Sequence, residues 1–267
     1  MLRVPTHDGD LFLKQEGPTQ AFEVALTRAL ASRWPDRVPA GVAADVDRAW
    51  LLLRDAGTKV ADSGTVDVYP TALRLYGELQ VGEIEHVDEL LAMGLPDLRL
   101  PNVAAAYEPF FERDHGLSPN EVERLRTYAP RFHQLCDELA AFELPATVQH
   151  DDLHQWNVFV RDDRVRICDW GDSSVAFPFW SWLKAKRATV DYGIDPEPLV
   201  KAYLLPWTAV APERELRAAF DRSPPTGTFA YALHTRRLFD AMPDARAEFE
   251  EYLPQILRLL LAQLEAT

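Results

Sequence analysis

The stretch Gln149 to Asp172, QHDDLHQWNVFVRDDRVRICDWGD, gathers the residues whose types and spacing could do chemistry together. His150, Asp152 and Asn157 stand as H-x-D-x-x-x-x-N, and Asp169 follows in D-x-G. That is the spacing of a phosphoryl-transfer site. Such a reaction needs a carboxylate that orients an attacking hydroxyl and accepts its proton, and oxygen ligands that hold Mg2+ on nucleotide phosphates. Asp152 suits the first task; Asn157 and Asp169 suit the second. His150 reads as a structural residue that fixes the loop backbone, and His154 is left unassigned. Asp162 and Asp163 read as turn residues and Asp172 as the N-cap of a later helix.

The elements around the motif must bring these side chains together. Asn157 to Val160 and Arg164 to Cys168 flank Asp162-Asp163, a pattern that predicts a β-hairpin. Antiparallel strands return the chain to its origin, so the loop His150 to Trp156 comes back beside Asp169. Upstream, Leu2 to Val4 and Leu11 to Lys14 predict a first hairpin, with Asp8-Gly9 in its turn. Ala21 to Arg33 predicts an amphipathic helix ended by Trp34-Pro35, and Val38 to Ala43 and Ala49 to Leu53 predict two more strands. The break at Arg54-Asp55-Ala56-Gly57 divides the chain into a first lobe at residues 1–57 and a second at 58–267.

The second lobe reads as mostly helical, through Val66 to Leu79, Ile84 to Met93 and Val103 to Phe111. Ser118-Pro119-Asn120-Glu121 is a capping box, and the apolar face from Val122 to Phe142 continues as one helix. Further helices are expected over Pro178 to Tyr192, Pro196 to Leu204, Glu213 to Asp221, Gly227 to Ala241 and Ala245 to Leu264. The aromatic residues there, Tyr203 and Tyr231 included, read as core. The acidic runs, Glu83, Glu85, Asp88 and Glu89 among them, read as solvated helix faces.

Composition narrows the partners. With 42 acidic against 28 basic residues, the formal charge of -14 repels nucleic acid and anionic lipid and favours cationic or neutral ligands. Cys136 and Cys168 form no disulfide framework or metal spacing, and no apolar stretch reads as a signal or membrane span, so a cytoplasmic protein is expected.

On the central motif and the order of elements around it, the chain resembles the aminoglycoside phosphotransferase and choline kinase branch of the protein-kinase-like fold. The resemblance implies an α+β, two-lobed fold with a small β-rich N-lobe and a larger, mainly helical C-lobe. It also implies a nucleotide, ATP or GTP, with Mg2+. In that family a strand lysine contacts the nucleotide phosphates and pairs with a helix glutamate; by position these are Lys14 and Glu23. Leu53 to Gly57 would be the hinge beside the adenine ring. The chain departs from the pattern at its start, where only thirteen residues precede Lys14 and Gly9 is their sole glycine. A first strand and a phosphate-covering loop are therefore expected to be missing, through a truncated start or a reduced lobe. Asp151 and Trp156 also replace smaller residues common at those places.

The expected activity is transfer of a γ-phosphoryl group to a hydroxyl of an aminoglycoside-like, sugar or amino-alcohol acceptor. A non-enzymatic kinase-like module is the second reading. A metal-dependent hydrolase built on His150, Asp151, Asp152 and His154 is the third.

Overall fold

The computed structural model describes residues 1–64, 66–242 and 249–267. Strands β1 (Leu2–Thr6), β2 (Gly9–Gln15), β3 (Gly41–Asp45) and β4 (Trp50–Arg54) form an antiparallel sheet in the order β1-β2-β4-β3. Gly9, at φ 106°, supplies the positive φ of the first turn, a conformation open to glycine. The register sets Lys14 opposite Leu51. Helix α1 (Glu23–Arg33) lies under this sheet, with Val24 packed among Ala49 and Leu51. Leu26 and Leu30 on another face of α1 join the main core. The helix stops at Trp34, before Pro35, which disfavours a helical predecessor.

Two short sheets carry the chain across to the helical lobe. β5 (Thr58–Lys59), β8 (Val158–Arg161) and β9 (Arg164–Ile167) pair in the order β5-β8-β9. β6 (Asp97–Leu98), β7 (Thr147–Gln149) and β10 (Ser174–Ala176) pair in the order β6-β10-β7. The β8–β9 turn is the expected Asp162-Asp163, both at positive φ (52° and 58°), the two-residue geometry that matches strand twist.

The helices are α2 (Val60–Ser63), α3 (Tyr69–Gly82), α4 (Val87–Ala92), α5 (Leu100–Ala105), α6 (Tyr107–Phe110), α7 (Pro119–Thr127) and α8 (Ala129–Ala140). After the central stretch come α9 (Trp182–Ala185), α10 (Arg187–Tyr192), α11 (Pro196–Leu204), α12 (Glu213–Arg222), α13 (Pro224–Ala241) and α14 (Tyr252–Glu265). The small antiparallel sheet and the large helical part are the α+β, kinase-like layout expected. No described helix is long and apolar enough to cross a membrane.

Three expectations need correction, and a fourth falls partly outside the described residues. The capping box at Ser118 is present, but the helix it opens ends at Thr127, because Pro130 sits in the first turn of α8 and cannot continue an earlier hydrogen-bond ladder. Residues Pro178 to Ser181 are not helical: Phe179 takes φ 79°, and α9 starts only at Trp182. The start of the helix expected from Ala245 lies outside the described residues; α14 begins at Tyr252. Glu83 is no solvated face. It is fully buried, held by Arg33 Nε and Nη2 at 2.8 and 2.7 Å and by Trp34 Nε1 at 2.7 Å.

That last cluster ties the end of α1 to the end of α3, and so helps fix the helix that carries Glu23. Removing a partner strands a buried charge. Arg33→Ala is expected to lower unfolding free energy by about 3 kcal/mol, read from urea denaturation, while the double change Arg33→Met with Glu83→Met recovers most of the loss.

Candidate active site

The loop between β7 and β8 is pinned from below. Gln149 Oε1 accepts from the Ser181 amide and hydroxyl at 3.1 and 2.9 Å, and Gln80 Nε2 on α3 donates to the Val148 carbonyl at 2.9 Å. The His150 amide donates to the Tyr76 and Ser181 hydroxyls at 2.9 and 3.1 Å. Its ring lies 4.6 Å from that of Trp170, and Nε2 donates to the Cys168 carbonyl at 2.9 Å. Burial pushes the His150 pKa down, which keeps the ring neutral. His150 thus joins the loop to the strand end before Asp169, as a structural residue.

Asp152 and Asn157 meet within this loop. Asn157 Nδ2 donates to both the carbonyl and Oδ2 of Asp152 at 2.9 Å, and His154 Nε2 lies 3.3 Å from Asp152 Oδ1. The Asp152 carboxylate is therefore oriented, yet its side chain keeps 26% exposure, so a ligand can reach it. The Asn157 amide oxygen has no hydrogen bond among the described residues, which leaves it free for a hard cation.

Lys14, Glu23 and Asp169 form the second group. Lys14 Nζ lies 2.5 Å from Glu23 Oε2, 2.5 Å from Asp169 Oδ1 and 3.0 Å from Glu16 Oε1. Burial would lower the Lys14 pKa, but these carboxylates more than reverse it and hold the ammonium charged. Burial pushes the Glu23 carboxyl up, against the pull of Lys14. Glu23 Oε1 also accepts from the Trp170 amide at 3.0 Å. A Cβ on Gly171 would stand 2.7 Å from Glu23 Oε2, so the glycine of D-x-G is what lets the helix glutamate approach. Asp169 itself sits at φ 68°, and its half-exposed Oδ2 has no hydrogen bond among the described residues. Among the described residues no hydrogen bond joins the Asn157 and Asp169 side chains. The backbone joins them, Cys168 N donating to Asn157 O at 3.0 Å.

Residues outside the predicted set complete the site. Glu16 carried a signal: two residues beyond Lys14 and just past the end of β2, it continues that face of the extended chain. Asp172 is not a helix cap. No helix starts there, and its partly buried carboxylate accepts from Gln20 Nε2 at 2.8 Å and lies 3.3 Å from His234 Nε2 of α13. Burial opposes ionisation of Asp172, but His234 and Gln20 outweigh it and pull the pKa down to about 2. Asp151, at φ 56°, receives the Ser174 hydroxyl. Of His150, Asp151, Asp152 and His154 only the last two therefore meet, while His150 and Asp151 hold other partners. Among the described residues no three His, Cys, Asp or Glu side chains gather to hold a metal ion, so the donors for the hydrolase reading are not assembled.

A carboxylate fixed by an amide on one loop, beside a lysine shared between a helix glutamate and the D-x-G aspartate, is the arrangement of the kinase-like fold. A model of the phosphotransferase enzyme family matches residues 2–180. The chain belongs to this family. Among solved structures it is similar to the choline kinase of Streptococcus pneumoniae, at 11% identity and a TM-score of 0.63, over 99% of this chain and 89% of that one. It is also similar to a choline/ethanolamine kinase family protein of Mesorhizobium loti, at 15% identity and a TM-score of 0.59, over 97% and 82% of the two chains. The GDP complex of aminoglycoside 2'-phosphotransferase-IIIa aligns at 13% identity and a TM-score of 0.58, over 92% and 82%. At these identities the likeness is one of fold. No curated protein matches the sequence.

In this phosphotransferase, burial pushes the Asp151 carboxyl up to about 6, with His234 and the Ser174 hydroxyl opposing. A folded-state value above the unfolded one near 4 means that the folded form binds the proton more tightly. Its stabilising share is complete below about pH 4 and is lost as pH rises through about 6, a change of at most about 3 kcal/mol. Asp151→Asn keeps an acceptor for Ser174 and removes the titration. Urea unfolding is expected to find the variant more stable than wild type at pH 8 and level with it near pH 4.

Proposed function

We propose that the protein transfers the γ-phosphoryl group of ATP to a hydroxyl of a small molecule, in a cleft between residues 1–57 and 58–267. The observation that carries this is the oriented, accessible carboxylate of Asp152, held by Asn157 at 2.9 Å, on the hairpin whose other strand ends at the Lys14–Asp169 pair. The acceptor oxygen attacks the γ-phosphorus, the bond from that phosphorus to the bridging oxygen breaks, and ADP leaves. Asp152 orients the hydroxyl and takes its proton as the new bond forms. Asn157 and His154 fix the carboxylate, so little reorganisation is needed during the reaction.

Lys14 supplies the positive charge for the nucleotide phosphates, and Glu23 keeps it facing the cleft. Asn157 and Asp169 would hold Mg2+, which when bound offsets the charge of the phosphate oxygens. One amide oxygen and one carboxylate suit a cation that takes its remaining ligands from phosphate and water. The GDP in the similar aminoglycoside 2'-phosphotransferase supports a purine nucleotide here as well, GTP being the other candidate. The free thiols of Cys136 and Cys168 fit a reducing cytoplasm. At long range the net charge of -14 attracts cations. Acceptor choice is made closer in, by the groups beside Asp152.

If this reading holds, Asp152→Asn lowers kcat about 1,000-fold while Mg-ATP affinity, measured by calorimetry, stays near wild type. Asp169→Asn should instead abolish the dependence of nucleotide binding on Mg2+. Turnover that survives Asp152→Asn would rule out the mechanism, and nucleotide binding indifferent to Mg2+ in the wild type would favour a non-catalytic module.

A further inference from the structure

On the helical side of the site Tyr231 of α13 and Tyr252 of α14 meet edge to face, their ring centroids 6.3 Å apart and their hydroxyls 2.6 Å apart. Tyr231 is partly buried against the main core, as expected, and its ring runs nearly parallel to that of His234, which lies 3.3 Å from Asp172. The carboxylates of Asp152 and Asp172 both act on its phenol, after burial and Tyr252. Through His234 this aromatic pair adjoins Asp172, three residues beyond Asp169.

Two tyrosines so arranged make a seat for an ammonium group, because the ring faces attract cations. Here the chain fills that seat itself. Lys184 of α9 donates from Nζ to Tyr252 Oη at 2.8 Å and stands 4.1 Å from the Tyr231 ring centroid and 5.5 Å from that of Tyr252. Among the described residues no carboxylate lies within 4 Å of this ammonium, and its close contacts are two ring faces and a phenol oxygen. A ligand cation entering beside it would meet a like charge, whereas a ligand anion would meet a fixed, unpaired one.

We infer that Lys184 selects the acceptor: the hydroxyl compound phosphorylated beside Asp152 carries a carboxylate or phosphate, and amino alcohols and aminoglycosides are disfavoured. The inference rests on the phosphotransferase reading for the word acceptor, but the anion site itself does not.

Three sugars of one shape and different charge test it: glucuronate, glucose and glucosamine, titrated calorimetrically into the full chain with and without Mg-ADP. Glucuronate is expected to bind about tenfold more tightly than glucosamine, and Lys184→Gln to erase that preference by weakening glucuronate alone. Glucosamine binding as tightly as glucuronate, no glucuronate binding at millimolar concentration, or a preference unchanged in Lys184→Gln would each overturn the assignment. Mg-ATP titrated into the same samples reads the phosphotransferase proposal separately. Loss of nucleotide binding with the glucuronate preference intact overturns that proposal and leaves Lys184 assigned; nucleotide binding with glucosamine preferred does the reverse.

Discussion

One ammonium organises the cleft. Lys14 on the second strand is shared by Glu16 just past that strand, Glu23 on α1 and Asp169 after β9. Three carboxylates around one ammonium leave an excess of negative charge in a partly buried place, an arrangement that is costly unless each oxygen is oriented. The surroundings do that: the Trp170 amide takes Glu23, Gly171 clears the space for it, and the Arg33–Glu83–Trp34 cluster anchors the far end of α1. The small sheet and the β8–β9 hairpin are tied to each other through this contact.

The other half of the site is organised by neutral hydrogen bonds. Tyr76, Gln80, Gln149 and Ser181 form a buried network under the loop, so Asp152 and Asn157 are displayed on a backbone with little freedom. Charge governs one side of the cleft and buried amides and hydroxyls the other. The join between them is the short run His150–Cys168–Asn157, linked by backbone and ring hydrogen bonds.

Much of this was legible in the sequence because it is local. The hairpin follows from β-prone runs around Asp162-Asp163, and the motif spacing follows from the hairpin. The fold class followed from the order of sheet and helix patterns and from the resemblance. What was not legible depends on distant partners. Asp172 looks like a cap until His234, 62 residues later, and Gln20, 152 residues earlier, are seen against it. Glu83 belongs to an acidic run and is buried only because Arg33 and Trp34 reach it. Tyr231 and Lys184 have ordinary helical spacing, and only the packing of α9, α13 and α14 brings them together. The break at Tyr128 shows a local signal, Pro130, overruled in the reading by a continuous apolar face.

The Lys14–Asp169 contact has a consequence for any phosphate that enters the cleft. Its arrival is an exchange reaction: one intramolecular carboxylate must yield its hold on the ammonium before another anion can use it. The protein thus holds an internal competitor at the mouth of its own site, bound through two lobes at once. The strength of that competitor, set by how firmly Glu23 and Asp169 are oriented, becomes a handle on occupancy that acts without touching the incoming ligand.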